Sequence, residues 1–280
     1  MSPKMTLAGE IRMSGPGTHT GRNVELRLKP CSSGRIVFRR TDLGGAEISP
    51  DPHRAEAKNC TLLVGDGAEV GTVEHLMAAL LILGVDSLDI ELTGPEIPIL
   101  DGSALPFVRA VLEAGTVPLA QARSRLRIVR PLSLVDGAAS IEIRPDTCFR
   151  ISYSIEYEHP SVGAQELSLV LDPEVFVREV APARTFGFLK DVQALKSRGL
   201  IKGSSPDNAV VLDETGVMNP PLRFEDEFVR HKILDLVGDL SLLGSLPIGH
   251  FSARRAGHSL HLRAVRMLRD DPGSWTLDEG

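Results

Sequence analysis

The sequence predicts an α+β fold made of two domains of similar plan. Three observations lead there. Segments of strand character come first and helical segments follow, and after residue 124 that order restarts. The stretch 117–124 between the two runs reads as a linker. With 280 residues and 42% hydrophobic content, the chain can bury one large core or two of ordinary size. The expected division is residues 1–120, residues 125–270 and a polar, frayed tail over 271–280 that holds the sole tryptophan, Trp275.

In the first half, 24–28 alternates apolar and polar residues, as a half-buried strand does. Residues 35–39 read as a more continuously apolar strand, 41–57 as mostly loop, and 61–64 as a strand before the turn Gly65-Asp66-Gly67. A helix is expected from Thr72, its candidate N-cap, to Leu83, stopping at Gly84. Residues 87–92 alternate as a strand and 95–101 form a proline-punctuated loop. Residues 103–114 read as a helix with Pro106 tolerated in its first turn. In the second half, strands are expected at 126–129, 132–135, 140–143, 150–155 and 167–171. A weak helix at 174–179, a helix at 188–197 ending before Gly199, and a short strand at 209–212 follow. The longest helical signal is 223–242. Its Phe224, Phe228, Ile233, Leu234, Leu236, Val237 and Leu240 recur at a helical period. Glu225, Asp226 and Glu227 crowd its first turn, where the helix dipole favours negative charge. A strand near 248–253 and a helix at 259–268 close the chain.

Composition narrows the function. A net charge of −6 with no long Lys/Arg run argues against a nucleic-acid partner, yet permits a local basic pocket for a phosphorylated small molecule. Cys31, Cys60 and Cys148 are widely spaced and odd in number, which suits a reducing compartment. The N-terminus has no signal-peptide apolar run, and the apolar patch 76–85 is too short to span a bilayer. A cytoplasmic protein without stable membrane insertion is expected, and no protein partner is inferred.

The polar residues of 223–242 carry the chemistry. Glu227, His231, Asp235 and Asp239 follow one another at i, i+4 steps and form one row. His231 and Asp235 are spaced to hold one metal ion; a solvated acidic stripe with one histidine is the competing reading. Glu74 and His75 are adjacent at the start of an apolar helix and point about 100° apart. They cannot easily grip one ion together, but one can ligate while the other faces the ion's open position. His75, His231 and Asp235 then make a two-histidine, one-carboxylate set, with Glu74 as candidate base. His258, at a loop-to-helix junction, can donate a proton to a leaving group, with Asp239 as its orienter; a capping or core histidine is the alternative. His53, His159 and His250 read as structural. The glycine-rich run 15–21, which holds His19, is not a phosphate-binding P-loop, because no Gly-Lys-Ser/Thr follows.

Five motifs occur in order: Thr72-Val-Glu-His-Leu76, Glu96-Ile-Pro-Ile-Leu-Asp-Gly-Ser-Ala104, Ala183-Arg-Thr-Phe-Gly-Phe188, Arg223-Phe-Glu-Asp-Glu-Phe-Val-Arg-His-Lys-Ile-Leu-Asp235 and Gly257-His-Ser-Leu260. With them, the chain closely resembles the UDP-3-O-acyl-N-acetylglucosamine deacetylase (LpxC) family, zinc amidases of lipid A and lipopolysaccharide biosynthesis in Gram-negative bacteria. The resemblance runs from about residue 5 to 268. It implies two α+β domains with the active site between them and hydrolysis of the linear N-acetyl amide of an acylated UDP-sugar. His75, His231 and Asp235 match the family's zinc ligands, a set that also accepts Fe2+. Glu74 matches the base that activates water. His258 matches the oxyanion-stabilising proton donor, Asp239 its supporting carboxylate, Thr185 a second partner of the oxyanion, and Lys232 a lysine near the substrate's anionic part. His19, Phe186 and Asp191 match substrate-side positions. Residues 192–211 match an insert that forms an acyl passage, with Val192, Leu195, Leu200, Ile201, Ala209 and Val211 as its apolar lining. An amphipathic helix and strand is the plainer alternative for that insert.

Thr18 and Pro16 depart from the usual glycine-rich loop, and His261 stands where asparagine is common. Arg144 replaces a familiar lysine; either cation can meet a diphosphate, with different geometry. A relative acting on another acylated nucleotide sugar, or a non-catalytic binding module, would be the rival assignments. The latter is expected to lose Glu74 or a metal ligand, and none is lost. No fused second enzyme is expected in 280 residues that end near the last motif.

Overall fold

The computed structural model describes residues 2–279; Met1 and Gly280 lie outside the described residues. The fold is α+β, as expected. A five-stranded sheet forms from the first third in the order Ile11–Pro16, Asn23–Pro30, Leu88–Leu92, Ile36–Arg40, Ala46–Ile48. Its pairs are antiparallel except Ile36–Arg40 with Leu88–Leu92. A seven-stranded sheet forms from the second half. Its main path is Leu132–Asp136, Ala139–Arg144, Leu246–Arg254, Ser124–Ile128, Trp275–Glu279. Phe149–Glu156 joins Leu246–Arg254 in parallel and carries Ala164–Val170 antiparallel. The strands obey the alternation that patterned them: in Phe149–Glu156, every second side chain is buried until the last residue.

Helix α1 spans Glu74–Leu83 and ends on Gly84 in the left-handed conformation. Helix α2 is Leu105–Ala114, with Pro106 in its first turn as expected. The single turn α3, Pro173–Val175, leads into a wide π turn at Phe176–Val180. Helix α4 is Leu189–Ser197, α5 is Glu227–Leu240 and α6 is His258–Asp270. α1 packs against α2 and α5, and α5 against α6 and the strand Phe149–Glu156. Apart from Leu83, every residue of α1 is buried, so this helix sits inside the molecule and not on it. No described helix is long and apolar enough to cross a membrane.

Four expectations are corrected. The supposed linker contains a strand, Thr116–Ala122, paired antiparallel with Pro3–Leu7. Its side chains are almost all exposed, so no hydrophobic alternation marks it. The supposed frayed tail contains the strand Trp275–Glu279 against Ser124–Ile128, and Trp275 Nε1–H donates to Leu268 O at 2.8 Å. Thr72 does not cap α1: its φ is 56°, and its hydroxyl donates to Glu96 Oε1 at 2.7 Å. The central helix begins at Glu227, because Arg223 leaves the helical path to bond Asp101 (2.9 Å) and the carbonyl of Pro182 (2.8 Å).

Candidate active site

α1 and α5 cross at Gly238. A methyl group built there would fall 2.2 Å from the carbonyl oxygen of Glu74, so only glycine allows this approach. The close crossing brings His75 against His231 and Asp235. His231 Nε2 lies 3.3 Å and His75 Nε2 3.8 Å from the same oxygen, Asp235 Oδ1. The two imidazoles stand nearly perpendicular, at 89°, with centroids 5.0 Å apart. A tetrahedral zinc site with bonds near 2.1 Å requires donors about 3.4 Å apart, so these spacings suit one ion. Burial pushes His75 down to about 3, and it lowers His231 despite the pull of Asp235. Both rings are therefore neutral near pH 7 and keep a lone pair for a cation. His231 Nδ1–H donates to Ala183 O at 3.1 Å, which leaves Nε2 free. Burial opposes the charge of Asp235. Lys232, 2.6 Å from Oδ2, and His231, His258 and His75 outweigh it and hold this carboxyl well below the usual range.

Glu74 and His258 flank this trio. Glu74 is buried, accepts from the backbone N–H of Thr61 at 3.1 Å, and lies 3.8 Å from His258 Nε2. Burial, reinforced by Asp235 and Asp239, raises it to about 7 even though His258 pulls the other way. His258 stands at the start of α6, and its Nδ1–H donates to Asp239 Oδ2 at 2.8 Å. Its Nε2 therefore faces Glu74 and the trio. Burial works against its charge, but Asp239, Asp235 and Glu74 prevail and raise it to about 9. Asp239 is fully buried; burial would raise it, yet His258 and His261 bring it down to about 2. Thr61 donates its hydroxyl to Asp239 Oδ1.

A carboxyl group that titrates near neutrality, a charged imidazole and an N,N,O cation site of two neutral imidazoles and one carboxylate share one cleft of about 410 Å³. Comparison with known proteins agrees with that chemistry. Residues 4–270 match the family model LpxC: UDP-3-O-acyl N-acetylglycosamine deacetylase. The chain belongs to the LpxC family. A UDP-3-O-acyl-N-acetylglucosamine deacetylase of Citrifermentans bemidjiense is 45% identical over 281 residues, 99% of this chain and 92% of that one. Its namesake in Myxococcus xanthus is 45% identical over 276 residues, covering 97% and 88%. That of Thermosynechococcus vestitus is 45% identical over 267 residues, covering 94% and 93%.

In this LpxC-family chain, the cleft gathers most of the residues singled out from the sequence. Its wall includes Glu74, His75, His231, Asp235 and His258, and beside them Lys232, Thr185 and Phe186. His19, Asp191, Val192, Ile201, Ala209 and Val211 line it too. Asp239 lies behind His258. Lys232 stays protonated: burial disfavours its charge, but Asp235 more than offsets that. His19 is held by backbone, its N–H donating to Glu96 at 2.9 Å, and burial lowers its pKa. Arg144 is not brought in. Ile141 and Ile143 take the inner face of its strand, so Arg144 points outward and pairs with Glu142 at 2.6 Å. Leu200 does not line the cleft either, while Leu195 does. The histidines read as structural are engaged elsewhere, His53 with Asp270, His159 with the carbonyl of Asp213 and His250 with Ser152.

Sequence reasoning missed Thr61, Tyr157 and Phe188. Thr61 touches both Glu74 and Asp239, but a threonine opening a short strand carries no mark of that. Tyr157 packs on Phe186 and Phe188 in the cleft wall, with centroids 5.8 and 5.6 Å away. Glu227, given no role beyond the helix dipole, is fully buried. It accepts from Arg184 Nε at 2.8 Å and from the backbone N–H groups of Arg184 and Arg223 at 2.9 and 2.7 Å. Arg184 precedes Thr185, so this pair fixes the segment that carries a cleft residue and leads into the short strand Phe186–Phe188.

Proposed function

We propose that this chain hydrolyses the N-acetyl amide of a UDP-3-O-(3-hydroxyacyl)-N-acetylglucosamine, releasing acetate and a free glucosamine amine, the committed step of lipid A biosynthesis. The observation that carries this reading is the 3.8 Å pairing of Glu74 with His258 across the His75–His231–Asp235 trio. The donor set fits a zinc ion, with Fe2+ as the other ion it accepts. Such an ion, when bound, supplies Lewis-acid polarisation of the amide carbonyl and makes water acidic. Glu74 takes the proton of the attacking water. His258 and Thr185 meet the negative charge that develops on the carbonyl oxygen. His258 then gives its proton to the departing nitrogen, and the C–N bond breaks. Asp239 holds His258 in the tautomer that points Nε2 at the substrate. Lys232 and Asp191 serve the polar part of the substrate.

The apolar side of the cleft suits an acyl chain. Val192 and Leu195 sit one helical turn apart on α4, which buries none of its residues against the protein. Ile201, Ala209 and Val211 continue that surface. A second cavity of about 950 Å³ shares Phe188 and Val192 with the first, giving the chain somewhere to lead. The domain division expected at 117–124, placing Glu74 and His75 in one domain and His231, Asp235 and His258 in the other, is part of the same reading, as is a cytoplasmic location.

Deacetylation of the acylated UDP-sugar tests it. Glu74→Ala and His258→Ala are expected to lower kcat by orders of magnitude in folded protein, and chelation to abolish turnover until Zn2+ is restored. Near-normal activity in either variant, or equal turnover of UDP-N-acetylglucosamine lacking the 3-O-acyl group, would overturn it.

A further inference from the structure

His261 stands one turn after His258 on α6 and is fully buried. Both of its ring nitrogens are engaged. Nδ1 lies 2.8 Å from Asp239 Oδ2, the same oxygen that accepts from His258 Nδ1 at 2.8 Å. Nε2 lies 2.9 Å from the hydroxyl of Tyr153, itself fully buried and 2.8 Å from the carbonyl of Ala256. Counting hydrogens fixes the direction of the first contact. Asp239 is a carboxylate and offers only lone pairs. A bare Nδ1 facing it would set lone pair against lone pair in a dry site, so His261 Nδ1 carries hydrogen towards Asp239. Tyr153 has a single hydroxyl hydrogen and gives it to the carbonyl of Ala256, so its oxygen is left facing His261 Nε2 as an acceptor.

We propose that His261, braced by Tyr153, is a positioning residue for the reaction: it holds the Asp239 carboxylate in the orientation that presents His258 to the substrate. It rests on the role proposed above for His258. Three donors on two elements clamp one carboxylate: Thr61 on Oδ1 from its strand, and His258 and His261 of α6 together on Oδ2. Without His261, Asp239 keeps one partner per oxygen and can turn about its terminal bond, and His258 loses its fixed tautomer. The charged and titratable groups facing His261 are Asp239 and Lys232 from α5, Tyr153 from the strand Phe149–Glu156, and His258 from its own helix. Lining up a partner this way acts on the reacting step and not on substrate capture, because neither His261 nor Tyr153 lines the cleft.

The experiment compares His261→Leu, His261→Asn, Tyr153→Phe and His258→Ala in the metal-loaded enzyme. An asparagine amide can still donate to Asp239; leucine cannot. Leucine is expected to lower kcat about tenfold or more with KM unchanged, the range found for partners that orient catalytic ligands. Asparagine is expected to restore most of that loss, and Tyr153→Phe to fall between. Proton NMR of the metal-free protein gives a second readout: the downfield His258 Nδ1–H resonance is expected to move or broaden in His261→Leu and to return in His261→Asn. Should His261→Leu misfold, the Tyr153→Phe and His261→Asn pair carries the test by the same two readouts. Loss of turnover in His258→Ala together with unchanged kcat and an unmoved His258 resonance in the His261 and Tyr153 variants overturns the proposal. Full activity of His258→Ala would instead overturn the role of His258 itself.

Discussion

In the proposed reaction, Glu74 and His258 make opposite demands on pH. As base, Glu74 works only deprotonated, so activity rises as pH climbs through its pKa, about 7 before any cation adds its charge. As acid, His258 works only protonated, so activity falls as pH climbs through about 9. The expected profile of kcat/KM is a bell between these limbs. A bound cation beside Glu74 favours its anion and moves the acid limb to lower pH, leaving the alkaline limb less changed. The check is the profile of His258→Gln: its residual activity should keep the acid limb and lose the alkaline one. An alkaline limb that survives in that variant assigns the acid elsewhere. Residue by residue, most groups that line the cleft were legible in the sequence through the adjacent Glu74-His75 pair and the ordered family motifs, whereas the i, i+4 row alone left a solvated stripe open. The supports of these groups were not legible. Thr61 and Tyr153 are ordinary strand residues by type and place, and only the folded contacts with Asp239 and His261 give them a part.

At the level of elements, the α1–α5 crossing governs the site. Gly238→Ala inserts a methyl group against the Glu74 backbone, and one helix must yield. A cost of about 1–3 kcal/mol is expected from such overpacking, read in urea unfolding. Because the crossing also sets the gap between His75 and Asp235, weaker Zn2+ binding should accompany it. Unfolding unchanged from the parent would show that the helices separate freely. Glu227→Ala is expected to cost more, about 3–5 kcal/mol, since it strands the largely buried Arg184 without its partner. Helix positions were readable from periodicity, whereas strands such as Thr116–Ala122 were not. That strand shows solvent most of its side chains and pairs with the far end of the chain, so neither pattern nor neighbours announce it. The fate of Glu227 was hidden for a similar reason: a carboxylate in a first turn looks solvated until a distant arginine is seen beside it. On α4 the prediction concerns the substrate. Each methylene removed from the acyl group should weaken binding by about 0.8 kcal/mol, roughly fourfold, until the chain no longer reaches Val192 and Leu195. A KM indifferent to chain length would remove the insert from the binding surface.

For the whole molecule, the cation site ties parts of the chain that are remote in sequence. His75 belongs to α1, which follows the first sheet's early strands, while His231 and Asp235 belong to α5, embedded among the later ones. An ion that binds only this folded arrangement stabilises it by about 2.7 kcal/mol at a hundred times its dissociation constant. Thermal unfolding with Zn2+ and with chelator should differ accordingly, and His75→Ala should erase the difference. The close meeting at Gly238 has a further consequence for the chain as a polymer. Held by His75 at one end and His231 at the other, a bound ion closes a long loop, as a crosslink would, and unlike a disulfide it opens and reseals with the metal supply. The survival of this protein among proteases would then record how much metal its surroundings hold.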